Sequence, residues 1–68
     1  MKTISGKNFS KLLVQKGWVL SRINGSHHIF TKEGTMFRIS VPVHKNNELK
    51  IGLLKSLMKI ADINESEL

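Results

Sequence analysis

Apolar residues recur at helical spacing in two segments, one towards each end of the chain. One helical face of residues 5–16 carries Phe9, Leu12 and Leu13. This i, i+3, i+4 spacing is typical of an amphipathic helix, for which Ser5 is a suitable N-cap and Gly17 a suitable left-handed stop. The apolar stripe of residues 48–61 consists of Leu49, Leu53, Leu54, Leu57, Met58 and Ala61. We therefore predict two helices, the second followed by a short turn.

Between the helices lie three stretches with strand-like alternation and β-branched content, at residues 18–23, 26–32 and 35–43. Asn24-Gly25 separates the first two stretches and is a strong signal for a two-residue hairpin turn. Glu33-Gly34 separates the second stretch from the third. Pro42 cannot donate to a sheet ladder, so we expect the third strand to end there or to lie at an edge.

The order helix–strand–strand–strand–helix predicts an α+β fold with a three-stranded antiparallel sheet and both helices on one face. This α-β-β-β-α arrangement is that of a double-stranded-RNA-binding domain. A chain of 68 residues is too short for two hydrophobic cores, since a domain of this size buries only about 60% of its unfolded surface. We therefore expect a single domain over residues 1–68.

The two turns determine which side chains share a face of the sheet, because side chains alternate along a strand. Two-residue turns place His27 between Arg22 and Ser40, whereas a three-residue first turn would set Arg22 opposite His28. With two-residue turns, the face covered by the helices carries Val19, Ile23, His28, Phe30, Phe37, Ile39 and Val41. The opposite, open face carries Trp18, Leu20, Arg22, His27, Ile29, Met36, Arg38 and Ser40.

The charge distribution favours a polyanionic partner. Eleven Lys and Arg residues against five Asp and Glu residues give a net charge of +6. Of the acids, only Glu33 and Glu48 lie within residues 1–61, which therefore carry a formal charge of +9. A segment this cationic is expected to bind nucleic acid in a salt-dependent manner, although surplus surface lysine alone would give the same composition.

The chain contains no cysteine and has no apolar run of the kind found in signal peptides or membrane spans. The lack of cysteine is typical of proteins from a reducing compartment. The N-terminal residues contain lysines and an asparagine rather than a long apolar segment. We therefore expect a soluble, cytoplasmic protein.

His27 is the candidate for catalysis on the open face. RNA supplies its own nucleophile, the 2′-OH, so cleavage needs a base, an acid for the leaving 5′-oxygen and positive charge at the phosphate. Histidine titrates in the useful range, and Arg22 and Arg38 are suited to phosphate oxygens. The acid is not identified by these residues. His44 is another candidate for a titrating role, but it could equally be a capping residue.

Two other interpretations apply to the same residues. His27 and His28 point to opposite faces and have no carboxylate close by in sequence apart from Glu33, so we predict no metal site. An exposed histidine beside arginine is also more often a polar surface residue than a catalyst. The apolar side chains predicted on the open face would suit a protein partner or the stacking of bases.

Several motifs occur in an order that resembles HicA-type mRNA interferase toxins. They are Gly17-Trp18, Arg22, Gly25-Ser26-His27-His28-Ile29-Phe30, Val41-Pro42-Val43-His44 and Leu49-Lys50-Ile51-Gly52-Leu53-Leu54. The resemblance spans nearly the whole chain and ends with Ala61-Asp62-Ile63. It implies the same double-stranded-RNA-binding-like fold, with metal-independent and cofactor-independent cleavage of mRNA.

The resemblance also implies roles for individual residues and a partner. The histidine of the Gly-Ser-His motif, His27, would be catalytic, and His44 in the Val-Pro-x-His segment and Ser26 would be auxiliary. The partner would be a HicB-type antitoxin that covers the active site. We take as candidate RNA contacts Arg22, Arg38, Lys32 and Lys45. The alternatives are a non-catalytic RNA-binding module and an adaptor that binds only protein.

Overall fold

The computed structural model describes residues 2–68. Its elements are α1 (Gly6–Gln15), β1 (Val19–Asn24), β2 (His27–Thr31), β3 (Arg38–Pro42), α2 (Ile51–Ala61) and a 3₁₀ turn (Glu65–Glu67). The strands form one antiparallel sheet in the order β1-β2-β3. The predicted α+β architecture of the double-stranded-RNA-binding type is confirmed. No helix within residues 2–68 is long and apolar enough to cross a membrane.

Both helices pack on one face of the sheet and share a single core with it. The sheet contributes Phe30, Ile39 and Val41, which alternate with exposed or half-buried neighbours along their strands. The helices contribute Phe9, Leu13, Leu54, Leu57, Met58 and Ala61. The other face of the sheet, here called the open face, carries Arg22, His27, Ile29, Thr31, Arg38 and Ser40.

Helix α1 begins and ends as the sequence predicts, and its end has a consequence for Trp18. The Ser5 hydroxyl accepts a hydrogen bond from the Asn8 amide, and Gly17 has a φ of 97°. The Trp18 amide then donates to the Leu13 carbonyl at 3.0 Å, as in a Schellman motif. This motif turns the indole back towards the helix, so that Trp18 is only 3% exposed. Its predicted place on the open face is therefore wrong.

A β-bulge at Ser21 reverses the alternation in the first half of β1. Leu20 pairs with Phe30 and Arg22 pairs with Ile29, so Ser21 is an extra residue between these two pairs. Leu20, predicted on the open face, therefore lies on the helix side. Val19, predicted in the core, is 62% exposed. An extra residue in one strand exchanges the faces of every residue on one side of it.

The first hairpin has the predicted length but lies one position later. Its two turn residues are Gly25 and Ser26, so that Asn24 pairs with His27. Gly25 has a φ of 62° and Ser26 does not have a positive φ, which matches a turn with glycine at its first central position. Moving a two-residue turn by one position changes the register by two residues. The side chains on either side of the turn therefore stay on their predicted faces.

The second connection is longer than predicted and β3 is shorter. Residues 32–37 lie outside the strands, and β3 begins at Arg38 rather than Thr35. Met36 and Phe37, predicted within the sheet, belong to this connection and are 99% and 64% exposed. Pro42 is the last residue of β3, which is an edge strand, as predicted.

An ion pair between Lys16 and Glu67 fastens the C-terminal turn to the end of α1. The Glu67 carboxylate also accepts a hydrogen bond from the Asn64 amide at 2.7 Å. The Lys16 ammonium, followed by the Asn64 amide, lowers the pKa of the Glu67 carboxyl below its usual value. The acidic end of the chain is thus held beside a cationic helix.

Replacement of Glu67 by glutamine is expected to lower the Tm slightly at neutral pH. Because the folded pKa is lowered, the stabilisation is present above the ordinary carboxyl pKa of 4.5 and is lost as the pH falls through the lowered folded value,. Thermal melts of both proteins should therefore converge in acid. Glu65→Gln is the control, since Glu65 forms no ion pair within residues 2–68. A Glu67 effect that persists in acid would contradict this assignment.

Candidate functional site

His27 is the first residue of β2, beside the hairpin turn, and its side chain is exposed on the open face. Its cross-strand neighbours are Asn24 on β1 and Pro42 on β3. Within residues 2–68 no carboxylate pairs with its imidazole. The ring is therefore accessible to a substrate that approaches the sheet from the side without helices.

His28 lies on the opposite face and is half-buried, between Ile23 on β1 and Val41 on β3. The two adjacent histidines thus differ as strand alternation predicts: one faces solvent and the other packs at the margin of the core. Ile23, predicted in the core, is nevertheless exposed at the sheet edge. Of the two histidines, only His27 is displayed where a polyanion could reach it.

Arg22 and Arg38, the two arginines of the chain, lie on either side of a shallow depression in the open face. The depression has a volume of about 350 Å³ and is lined by Ser21, Arg22, Ile29, Thr31, Arg38 and Ser40. Arg22 pairs with Ile29 on β2, and Arg38 pairs with Thr31. The strands thus bring together the two guanidinium groups, which are sixteen positions apart in the sequence.

His27 does not line this depression, and its predicted place directly between Arg22 and Ser40 is wrong. Both hairpins are displaced by two residues in register, so that Arg22 and Ser40 flank Ile29 instead. They are diagonal neighbours of His27, at roughly 7–8 Å by the geometry of antiparallel sheets. The imidazole and the arginine depression are therefore adjacent but separate parts of the open face.

His44 and Lys45 lie in the turn that follows β3. The Asn47 amide donates to the His44 carbonyl at 2.9 Å, and Lys45 has a left-handed φ of 51°. His44 lines a groove of about 270 Å³ together with Pro42, residues 47–50 before α2, and Leu53 of α2. Pro42 is opposite His27 across the sheet and precedes His44 by two residues, so both histidines are neighbours of this proline.

The remaining candidates, Ser26 and Lys32, lie at opposite ends of β2. Ser26 is the second residue of the hairpin turn, and its carbonyl accepts the Val43 amide at 2.7 Å. Lys32 follows the strand, with its ammonium 5.9 Å from the centre of the Trp18 ring. Five residues of strand separate His27 from Lys32, or about 17 Å. A substrate that contacts both would have to extend along the whole strand.

The structure adds Ser21 and Thr31 to the residues identified from sequence. Both residues line the depression, and both carry a hydroxyl group, which is able to donate to an anion. Thr31 could have been found from its alternation with His27, whereas no sequence signal marks the bulge at Ser21. Within residues 2–68, no group of three His, Cys, Asp or Glu side chains is placed to hold a metal ion.

Comparison with known proteins identifies one family. A family model described as the HicA toxin of bacterial toxin–antitoxin systems matches residues 6–63. The matched range contains both helices and all three strands, and with them His27, His44 and the two arginines. No curated protein matches the chain.

Proposed function

The chain belongs to the HicA toxin family of bacterial toxin–antitoxin systems, and we propose that it is an endoribonuclease that cleaves mRNA with His27 as its catalytic residue. The observation that carries the proposal is the exposure of His27 on the open face, next to the depression flanked by Arg22 and Arg38. The imidazole suits a reaction that moves a proton at a phosphodiester, and the two guanidinium groups nearby suit the binding of an RNA backbone.

The proposed reaction uses the 2′-hydroxyl of RNA as the nucleophile. His27 accepts its proton as the 2′-oxygen attacks the phosphorus, and the bond from phosphorus to the 5′-oxygen breaks. The products are a 2′,3′-cyclic phosphate and a 5′-hydroxyl, whose oxygen takes up a proton as it leaves. The reacting phosphate acquires additional negative charge in the transition state, and hydrogen-bond donors beside His27 would stabilise it.

Other residues are assigned supporting roles in this proposal. His44, which lines a groove with Pro42, the partner of His27, is the candidate donor of the proton to the leaving oxygen. Ser26, in the turn beside His27, can donate a hydrogen bond to substrate. Four cationic side chains, all of them exposed, are proposed to contact RNA phosphates: Arg22, Arg38, Lys32 and Lys45.

Membership of a toxin–antitoxin family implies an antitoxin partner. We propose a HicB-type protein that binds over the open face in the cytoplasm and denies RNA access to His27. The exposed apolar side chains of Met36 and Phe37, in the connection between β2 and β3, would suit a protein contact,.

The test is to incubate the purified chain with single-stranded mRNA in the presence of a metal chelator. We expect fragments with 2′,3′-cyclic phosphate and 5′-hydroxyl ends, because neither a metal nor a protein nucleophile takes part in the proposed step. Intact RNA that is retarded on a gel would instead indicate a non-catalytic RNA-binding module. RNA that is neither cleaved nor bound at low salt would indicate a protein-binding adaptor.

A further inference from the structure

We propose that the depression between Arg22 and Arg38 binds one phosphate group of the RNA, and that this phosphate neighbours the scissile phosphate, which lies beside His27. The site would hold a single extended strand by its backbone while the adjacent nucleotide lies against His27. This inference rests on the proposed function, because it assigns a subsite to the same substrate. It adds that both arginines share one phosphate and that neither acts on the scissile one.

The strand pairing allows both arginines to reach one group. Arg22 on β1 is paired with Ile29 on β2, and Arg38 on β3 is paired with Thr31 on β2. Ile29 and Thr31 are successive residues on the open face of β2. The Cα atoms of the two arginines are two strands apart across the sheet and two residues apart along it, which gives a separation of roughly 12 Å. Two extended arginine side chains can meet across this distance, above Ile29 and Thr31. Both in fact line the same depression.

The chemistry of the lining suits a phosphate. Three residues with hydroxyl groups, Ser21, Thr31 and Ser40, line the depression together with the arginines, and no acidic side chain lines it. Within residues 2–68 neither arginine forms an ion pair. Two unpaired guanidinium groups provide the planar, multiple hydrogen bonding that phosphate oxygens accept, and hydroxyl groups can add further donors.

The bulge at Ser21 allows Arg22 to lie on the open face while Trp18 lies in the core. Trp18 is fixed in the core by the end of α1, and regular alternation from Trp18 would send Arg22 to the helix side. The extra residue at Ser21 reverses that alternation and turns Arg22 towards Arg38. Bulges commonly redirect a side chain in this way beside functional sites.

The depression is distinct from the position of the imidazole. His27 precedes Ile29 by two residues on the same face, about 7 Å along the strand, and does not line the depression. A phosphate held by both arginines would therefore sit beyond Ile29. The reacting phosphate would sit at the hairpin end of the sheet, beside His27.

The test measures binding separately from cleavage. The probe is a single-stranded 2′-O-methyl RNA oligonucleotide, which lacks the nucleophile and stays intact with the wild-type chain. Its affinity is measured by fluorescence anisotropy over a range of salt concentrations for wild type, Arg22→Gln, Arg38→Gln and the double variant. The control is Lys55→Gln with Lys59→Gln, which removes the same charge from exposed positions on α2. Circular dichroism melts verify that each variant is folded.

If the two arginines share one phosphate, the double variant should reduce the slope of log affinity against log salt by about 0.7, the value for one phosphate of a single strand. A reduction of about 1.4 would mean two separate phosphates and would overturn the shared site. An affinity loss no greater than that of the Lys55/Lys59 control would overturn it as well.

Cleavage kinetics test whether the bound phosphate is the neighbouring one. The double variant should raise KM at least 10-fold and leave kcat within about two-fold, because the lost contact is equally strong in ground and transition states. A fall of kcat by 100-fold or more would place the arginines on the reacting phosphate and overturn the inference. If the wild type binds RNA without cleaving it, the proposed function fails, and the salt slope alone then decides whether the shared phosphate site exists.

Discussion

Replacement of His27 by alanine is expected to lower the rate of RNA cleavage by about 10²–10⁴-fold, the usual contribution of a general acid–base residue. The fold should survive, because the side chain is exposed and surface substitutions change stability by only about 0.5 kcal/mol. The measurements are the cleavage rate of the purified variant and, in cells, growth arrest and mRNA integrity after induction. RNA binding should be largely retained.

His28→Ala is the matched control, because it removes the same side chain from the adjacent position. His28 is half-buried beside Ile23 and Val41, so its loss should reduce the Tm more than the loss of His27 does. The folded fraction should nevertheless cleave RNA at close to the wild-type rate. A folded His27→Ala protein that cleaves RNA normally would refute the catalytic assignment, as would a larger loss of activity from His28→Ala at a temperature where both are folded.

The second large effect is expected at Gly6, where α1 starts against the end of β3. Gly6 is buried, and a Cβ atom there would overlap the Pro42 carbonyl oxygen and lie 3.1 Å from the carbonyl carbon. The obstructing atoms are backbone and cannot move aside as a side chain could. Gly6→Ala should therefore destabilise the protein by about 1–3 kcal/mol, the usual cost of overpacking, with a Tm decrease of about 4–8 °C for each kcal/mol in a domain of this size.

Gly52→Ala is the control for this substitution. Gly52 is also in the first turn of its helix, but nothing lies within 4 Å of the position that its Cβ would occupy. Alanine there should be neutral or stabilising by up to about 1 kcal/mol, since glycine has a low helix propensity. Denaturant unfolding of both variants gives the comparison. An unchanged midpoint for Gly6→Ala would show that α1 and β3 can separate at no cost.

Gly6→Ala is expected to affect activity as well as stability. The residue that would be displaced, Pro42, lies opposite His27 and also lines the groove of His44. A shift of this proline would change the distance between the two histidines. Cleavage measured at a temperature where the variant is folded should therefore be slower than in Gly52→Ala.

The architecture and the contrast between the two histidines could be predicted from the sequence, for identifiable reasons. Capping by Ser5 and Gly17 is local chemistry, and the structure has both caps. Both hairpins have a different register from the predicted one, yet His27 faces solvent and His28 the core, as predicted. The displacements changed each register by an even number of residues, and an even change preserves the faces.

The features that could not be predicted depend on contacts between elements. Trp18 is buried because the end of α1 directs it into the core. The bulge at Ser21 then shifts the alternation of β1 by one residue, so that Arg22 lies on the open face. Strand propensity contains no information on either. The lining of the depression could not be predicted either, since the register that sets Arg22 opposite Ile29 follows from the turn at Gly25-Ser26, one position later than the sequence predicts. Met36 and Phe37 have strand-like side chains but lie in a connection, where propensity does not decide the conformation,.

The bulge at Ser21 reconciles an even spacing between Trp18 and Arg22 with the opposite faces on which the two residues lie. Loss of one residue between them would remove the bulge and leave an odd spacing, and regular alternation over an odd spacing gives the same two faces. Homologues that retain both residues should therefore have either the present spacing with a bulge or a spacing one residue shorter without it. Insertions and deletions of any length should accumulate in the six-residue connection before β3, where a change of length leaves the strand faces untouched.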